Sequence, residues 1–78
     1  MLSENDWKRL SQALQTMEWV TLVRTLGKEE VTACVTAATT AWPVAAIIRI
    51  QYKSPHLDWS QNFESVEAAR RAWKERWT

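Results

Sequence analysis

The stretch VTACVTAATTAWPVAAII, Val31 to Ile48, holds eighteen residues and no charge, in a chain of 78 in which 24% of residues are charged. What it sits against decides the fold. A membrane span needs ~18–20 strongly apolar residues. This stretch carries four threonines, has Pro43 inside it, and has no Lys/Arg cluster on one flank, so a span is rejected. Two readings remain for residues 30–41. Val31, Cys34, Val35, Ala38 and Trp42 share one face of a helix, whereas Val31, Ala33, Val35 and Ala37 alternate with Thr32, Cys34 and Thr36 as in a half-buried strand. Thr39 and Thr40 weaken the helix, because β-branched side chains lose χ1 freedom there. The strand is preferred, ending near Ala38. Pro43 then breaks the chain after Trp42.

The segment VAAIIRIQYK, Val44 to Lys53, is the clearest strand. Val44, Ala46, Ile48, Ile50 and Tyr52 point one way; Ala45, Ile47, Arg49, Gln51 and Lys53 point the other. Working outward, SPHLD reads as a turn suited to Pro55, and WSQNF as a short strand with Trp59, Gln61 and Phe63 on one side. Ser65 caps a C-terminal helix whose inner stripe is Val66, Ala69, Trp73 and Trp77 and whose outer side carries Glu67, Arg71 and Glu75 at i,i+4 spacing. Toward the N-terminus, the β-branched and aromatic run from Glu18 to Leu26 predicts a strand, followed by a turn at Gly27, the only glycine. Residues 4–16 predict a helix with Ser3 as N-cap, Asp6 at the third position, a Leu2–Trp7 staple, and an apolar stripe of Trp7, Leu10, Leu14 and Met17.

The expected fold is therefore α+β in the order α-β-β-β-β-α. It is a small single-layer antiparallel sheet of three to four strands with the N- and C-terminal helices on one face, and residues 1–78 form one domain. A domain this small buries only ~60–65% of its unfolded surface. With one cysteine, Cys34, and one histidine, His56, neither an intrachain disulfide nor a structural zinc is expected to staple it. Six tryptophans, Trp7, Trp19, Trp42, Trp59, Trp73 and Trp77, are the obvious substitute, each able to bury ~200 Å².

The formal net charge is +1, neither a DNA-like acidic surface nor the basic surface of a dedicated nucleic-acid binder. MLSENDW lacks the basic and apolar regions of a signal peptide, and a lone cysteine suits a reducing cytoplasm. Chemistry-bearing constellations are sparse. His56, Asp58 and Ser60 share letters with a catalytic triad, but alternate positions around a turn do not make triad geometry. Cys34 has no histidine near it in sequence and reads as a small hydrophobe. Glu29 and Glu30 read as a solvated pair, and no phosphate-cradling glycine loop exists. No enzyme activity, metal or cofactor is expected.

What remains is the sheet face that the helices leave bare. Ile47, Arg49, Gln51 and Lys53 would lie there, joined by Trp19, Thr21 and Val23 if Val20, Leu22 and Leu26 turn inward; Trp59 fits either side. Arginine and aromatic residues set among aliphatic ones are what contact hot spots are made of. The expected function is a protein-binding module. It would use Trp19, Arg49, Gln51, Lys53 and Trp59 against another protein or a second copy of the chain. Accessory and inhibitory proteins of phages and other mobile elements are commonly of this kind. The alternative is a nucleic-acid binder in which Trp19, Tyr52 and Trp59 stack on bases and Arg49, Lys53, Arg70 and Arg71 meet phosphates.

Overall fold

A computed structural model describes residues 2–37 and 45–77, the last two through their backbone alone. Six elements follow one another: α1 (Glu4–Thr16), β1 (Thr21–Leu26), β2 (Glu29–Ala37), β3 (Ala46–Lys53), β4 (Asp58–Phe63) and α2 (Val66–Trp77). The fold is α+β. The four strands form one open antiparallel sheet in the order β1-β2-β3-β4. Both helices lie on the same face: α1 over β2 and β3, α2 over β3 and β4, and the two against each other. Residues 38–44, with the break read at Trp42 and Pro43 and the strand start read at Val44, lie outside the described residues.

The uncharged stretch thus supplies two paired strands. Val35 stands opposite Ile48 and Thr36 opposite Ile47, so one side of each strand goes under the helices and Thr32 and Thr36 face away. The alternation settles residues 30–37 as strand because a period of two buries Val31, Ala33 and Val35 together. The core comprises those three with Trp7, Leu10, Ala13, Ile48, Ile50, Tyr52, Phe63 and Ala69. Three alanines at the helix–sheet contact let the helices sit close. The largest fully buried side chains are Leu10, Ile48, Ile50 and Val31. The core is therefore mainly aliphatic, and the tryptophans contribute unequally: Trp7 is buried, Trp59 and Trp73 pack on the core's margin, and Trp19 is 55% exposed.

The N-terminus of α1 forms as its sequence indicates. Ser3 Oγ accepts from the Asp6 N–H at 3.1 Å, and the Ser3 N–H donates to Asp6 Oδ2 at 3.0 Å, a reciprocal capping box. The helix ends at Met17, held in the left-handed region (φ 54°, ψ 39°), with the Glu18 N–H closing onto the Ala13 carbonyl at 2.8 Å. This corrects the expected strand start at Glu18. That residue's backbone N–H is spent on the helix and its carboxylate on Arg9, at 2.8 and 3.2 Å, so regular pairing begins at Thr21. Leu26 is a second correction. It has the inward parity of Val20 and Leu22 but is 65% exposed, because it ends β1 at the hairpin, one position beyond the row where α1 begins. Gly27 has φ 62° and Lys28 has no positive φ, the pattern of a two-residue type II′ hairpin with glycine first.

Candidate functional site

The register assembles the bare face row by row. Thr21, Cys34, Arg49 and Asn62 stand side by side across the four strands. Val23, Thr32, Gln51 and Ser60 form the next row, and Thr25, Glu30, Lys53 and Asp58 the row beyond. Thr36 and Ile47 complete the opposite end. Apart from Arg49, the middle of this face is uncharged, with β-branched residues toward β1 and β2, and the other charges gather at one end, where Lys53 is flanked by Glu30 and Asp58. An open hollow of ≈ 310 Å³ lies there, lined by residues of both signs together with Thr32, Gln51 and Ser60. Arg49 lies across the sheet, its Nε donating to Asn62 Oδ1 at 2.9 Å, which fixes its guanidinium on this face. Val23 is 49% exposed. Trp19 shares the parity of Thr21 and Val23 and borders the face at its β1 side.

The residues picked from the sequence as a contact set divide as follows. Arg49, Gln51 and Lys53 lie on the bare face with Trp19 at its margin. Trp59 does not join them: it stands opposite Tyr52, on the helix side, packed on the core. Tyr52 is buried and its hydroxyl donates to Glu29 Oε1 at 2.8 Å. Of the alternative phosphate contacts, Arg70 is tied to Glu4 and stacks over Trp7 at 5.8 Å, away from the open face. His56 is exposed in a turn organised by Ser54, whose Oγ accepts from the N–H groups of His56 and Leu57 at 3.3 and 3.0 Å; Asp58 and Ser60 follow on the open face of β4. Cys34 is a free, half-buried thiol at the centre of that face. Among the described residues, no group of three or more His, Cys, Asp or Glu side chains is placed to hold a metal ion, and no helix is long and apolar enough to cross a membrane.

One polar constellation was not anticipated from sequence. Arg24 shares the inward parity of Leu22, and there it meets Asp6: Nη2 donates to Oδ1 at 2.8 Å and Nε to Oδ2 at 3.2 Å. Asp6 is only 7% exposed. The Arg24 guanidinium, then the Ser3 N–H, hold its carboxyl below the usual carboxylate range. The signal was present in the letters: a lone charge at an inward strand position requires a partner, and an acid in the first turn of a helix is a natural one.

Comparison with known protein families, with curated proteins and with solved structures finds no match to this chain.

Proposed function

We propose that the chain is a non-enzymatic protein-binding module that acts by laying the open face of its sheet on a partner protein. The observation that carries this reading is the one-sidedness of the fold. Both helices pack on one face, and the other keeps a centre of β-branched and small polar residues around a single charge, Arg49, which Asn62 fixes in place, with Val23 and Trp19 exposed on its β1 side. Aliphatic and aromatic area drives association, while charged and amide groups at its rim keep the free chain in solution and set register. A protein surface suits this face better than a nucleic acid. Of the three aromatics that base stacking would use, Tyr52 and Trp59 lie on the helix side, and the rim alternates in sign at Glu30, Lys53 and Asp58. A phage or other mobile-element accessory protein that occupies a host protein's surface is one setting such a module fits.

The test is the double substitution Arg49→Glu with Lys53→Glu, followed by unfolding and by capture of partners from the native host. The variant stays folded at a cost of about 1–2 kcal/mol, since Lys53→Glu stands between Glu30 and Asp58 and Arg49→Glu gives up the bond to Asn62, and it loses the partner. A stable variant that captures the partner as before places the contact elsewhere. Salt separates the two partner classes: binding to protein falls little between 50 and 200 mM salt, whereas phosphate contacts lose orders of magnitude over about that range.

A further inference from the structure

β1 stands first in the sheet order, so its outer edge has no strand beside it among the described residues. Which backbone groups face outward follows from one bond. The Val35 N–H donates to the Val20 carbonyl at 2.9 Å, which turns Val20 toward β2 and, by the period of two, Leu22, Arg24 and Leu26 as well. The N–H and C=O groups of Thr21, Val23 and Thr25 therefore point away from the sheet. These three residues are exposed, uncharged and β-branched, and no proline interrupts them. Among the described residues, four of the five exposed large apolar side chains, Met17, Trp19, Val23 and Leu26, lie on or just before this strand. Such an edge is a template for another strand unless something blocks it.

Something does. While Asp6 grips Nε and Nη2 of Arg24, the third nitrogen, Nη1, donates to the Val23 carbonyl at 2.9 Å. That carbonyl is the middle one of the three residues whose groups face outward.

We infer that Arg24, anchored by Asp6, is a cap that keeps the β1 edge from pairing with β1 of a second copy of the chain. A second copy is the occupant the edge fits, because its outward groups are self-complementary. Antiparallel pairing about a twofold axis at Val23 sets Val23 against Val23 and Thr21 against Thr25 of the second copy, all as hydrogen-bonded pairs. The same register sets each Lys28 on the side of the other copy's Arg9–Glu18 pair. It also brings each Trp19 to the other copy's Gly27 turn, where the space around the glycine is open. The central pair of that arrangement needs the carbonyl the guanidinium covers. The edge borders the open face along Thr21, Val23 and Thr25, but pairing there uses backbone groups whereas the contact proposed for the face uses side chains, so sedimentation of the chain without any partner tests this inference separately.

The test is sedimentation of the purified full chain without any partner. Arg24→Met combined with Asp6→Asn removes the guanidinium without leaving a buried carboxylate unpaired. Arg24→Lys keeps a cation beside Asp6 but lacks the forked guanidinium that reaches Asp6 and the Val23 carbonyl together. Circular dichroism establishes that each is folded, and Arg24→Lys decides the matter where the double variant is not. The expected result is self-association about thirtyfold tighter than in the parent, the factor that two freed hydrogen bonds correspond to. Adding Val23→Pro, tolerated where the N–H faces solvent, returns the variant to the parent's behaviour. A folded variant that sediments like the parent, or tighter association that survives Val23→Pro, overturns the inference.

Discussion

Asp6 does three jobs with one carboxylate: it closes the capping box onto Ser3, it neutralises Arg24, and through Arg24 it reaches the edge of the sheet. Its folded-state pKa is lowered, mainly by Arg24. The stability it contributes is therefore complete above its unfolded value, near 3.8, and is lost as pH falls through the lower folded value. Urea midpoints measured from pH 6 down to pH 2 should fall below about pH 4 in the parent and fall less steeply in Asp6→Asn. At neutral pH that substitution should cost about 1–3 kcal/mol, since a buried hydrogen-bonded charge is lost while half of the Arg24 side chain remains in water. An equal acid response in parent and variant would show that the pair contributes nothing. Trp73 belongs to the same scale. It packs on the margin of the core and is half-buried, so Trp73→Ala should cost about 2–3 kcal/mol, at or below the low end for a deleted aromatic. A variant that melts like the parent would remove Trp73 from the account of stability.

The elements are joined by two backbone devices that differ in how well their residues suit them. Gly27 occupies the first position of the β1–β2 hairpin at φ 62° with nothing within 4 Å of where a Cβ would stand. Gly27→Ala should therefore cost the backbone penalty of a positive φ without any clash, about 1–2 kcal/mol or more. Met17 holds the corresponding left-handed position at the end of α1 with a side chain that is 46% exposed. There Met17→Gly should stabilise the chain by about 0.5–1 kcal/mol, which raises Tm by a few degrees in a domain of this size. A fall in Tm would mean that the Met17 side chain contributes packing greater than its backbone penalty. The register makes its own prediction for β1. Amides of Leu22 and Arg24 bond to β2 and should exchange slowly, while those of Thr21, Val23 and Thr25 face solvent and should exchange fast. The reverse alternation would require the strand to be shifted by one residue.

At the scale of the whole molecule, the sheet has a dry face under two helices and a second face that no described element covers. Cys34 makes this second face measurable. It sits at the centre, between Thr21 and Arg49, so its alkylation should slow severalfold when a partner occupies the face and should be unchanged by a partner that docks on the helices. Substituting Arg49 and Lys53 together should abolish that protection, read as the ratio of free to bound rates in each protein, because Arg49→Glu replaces a cation beside Cys34 with an anion.

Local chemistry determined a great deal of this protein by itself. Ser3 and Asp6 mark the start of α1, Ser65 precedes α2, and the two-residue period of Ala46–Tyr52 marks β3, because caps and alternation are properties of neighbours in the chain; Val31–Ala37 fits a helical face as well as a strand, and pairing with β3 decides it. Four strands read in succession with short connections imply the meander, and amphipathic helices at both ends imply the covered face. Long-range matters were decided only in the folded chain. Glu18 was read as strand because its neighbours favour one, but its groups are claimed by Ala13 and Arg9 across a turn. Trp59 suited either side until pairing with Tyr52 put it under the helices. Arg24 looked like an ordinary strand residue until the approach of α1 brought Asp6 to it. Each of these outcomes depends on which distant group arrives first at a donor, an acceptor or a vacant surface, and that competition is between residues far apart in sequence, so no window along the chain contains it.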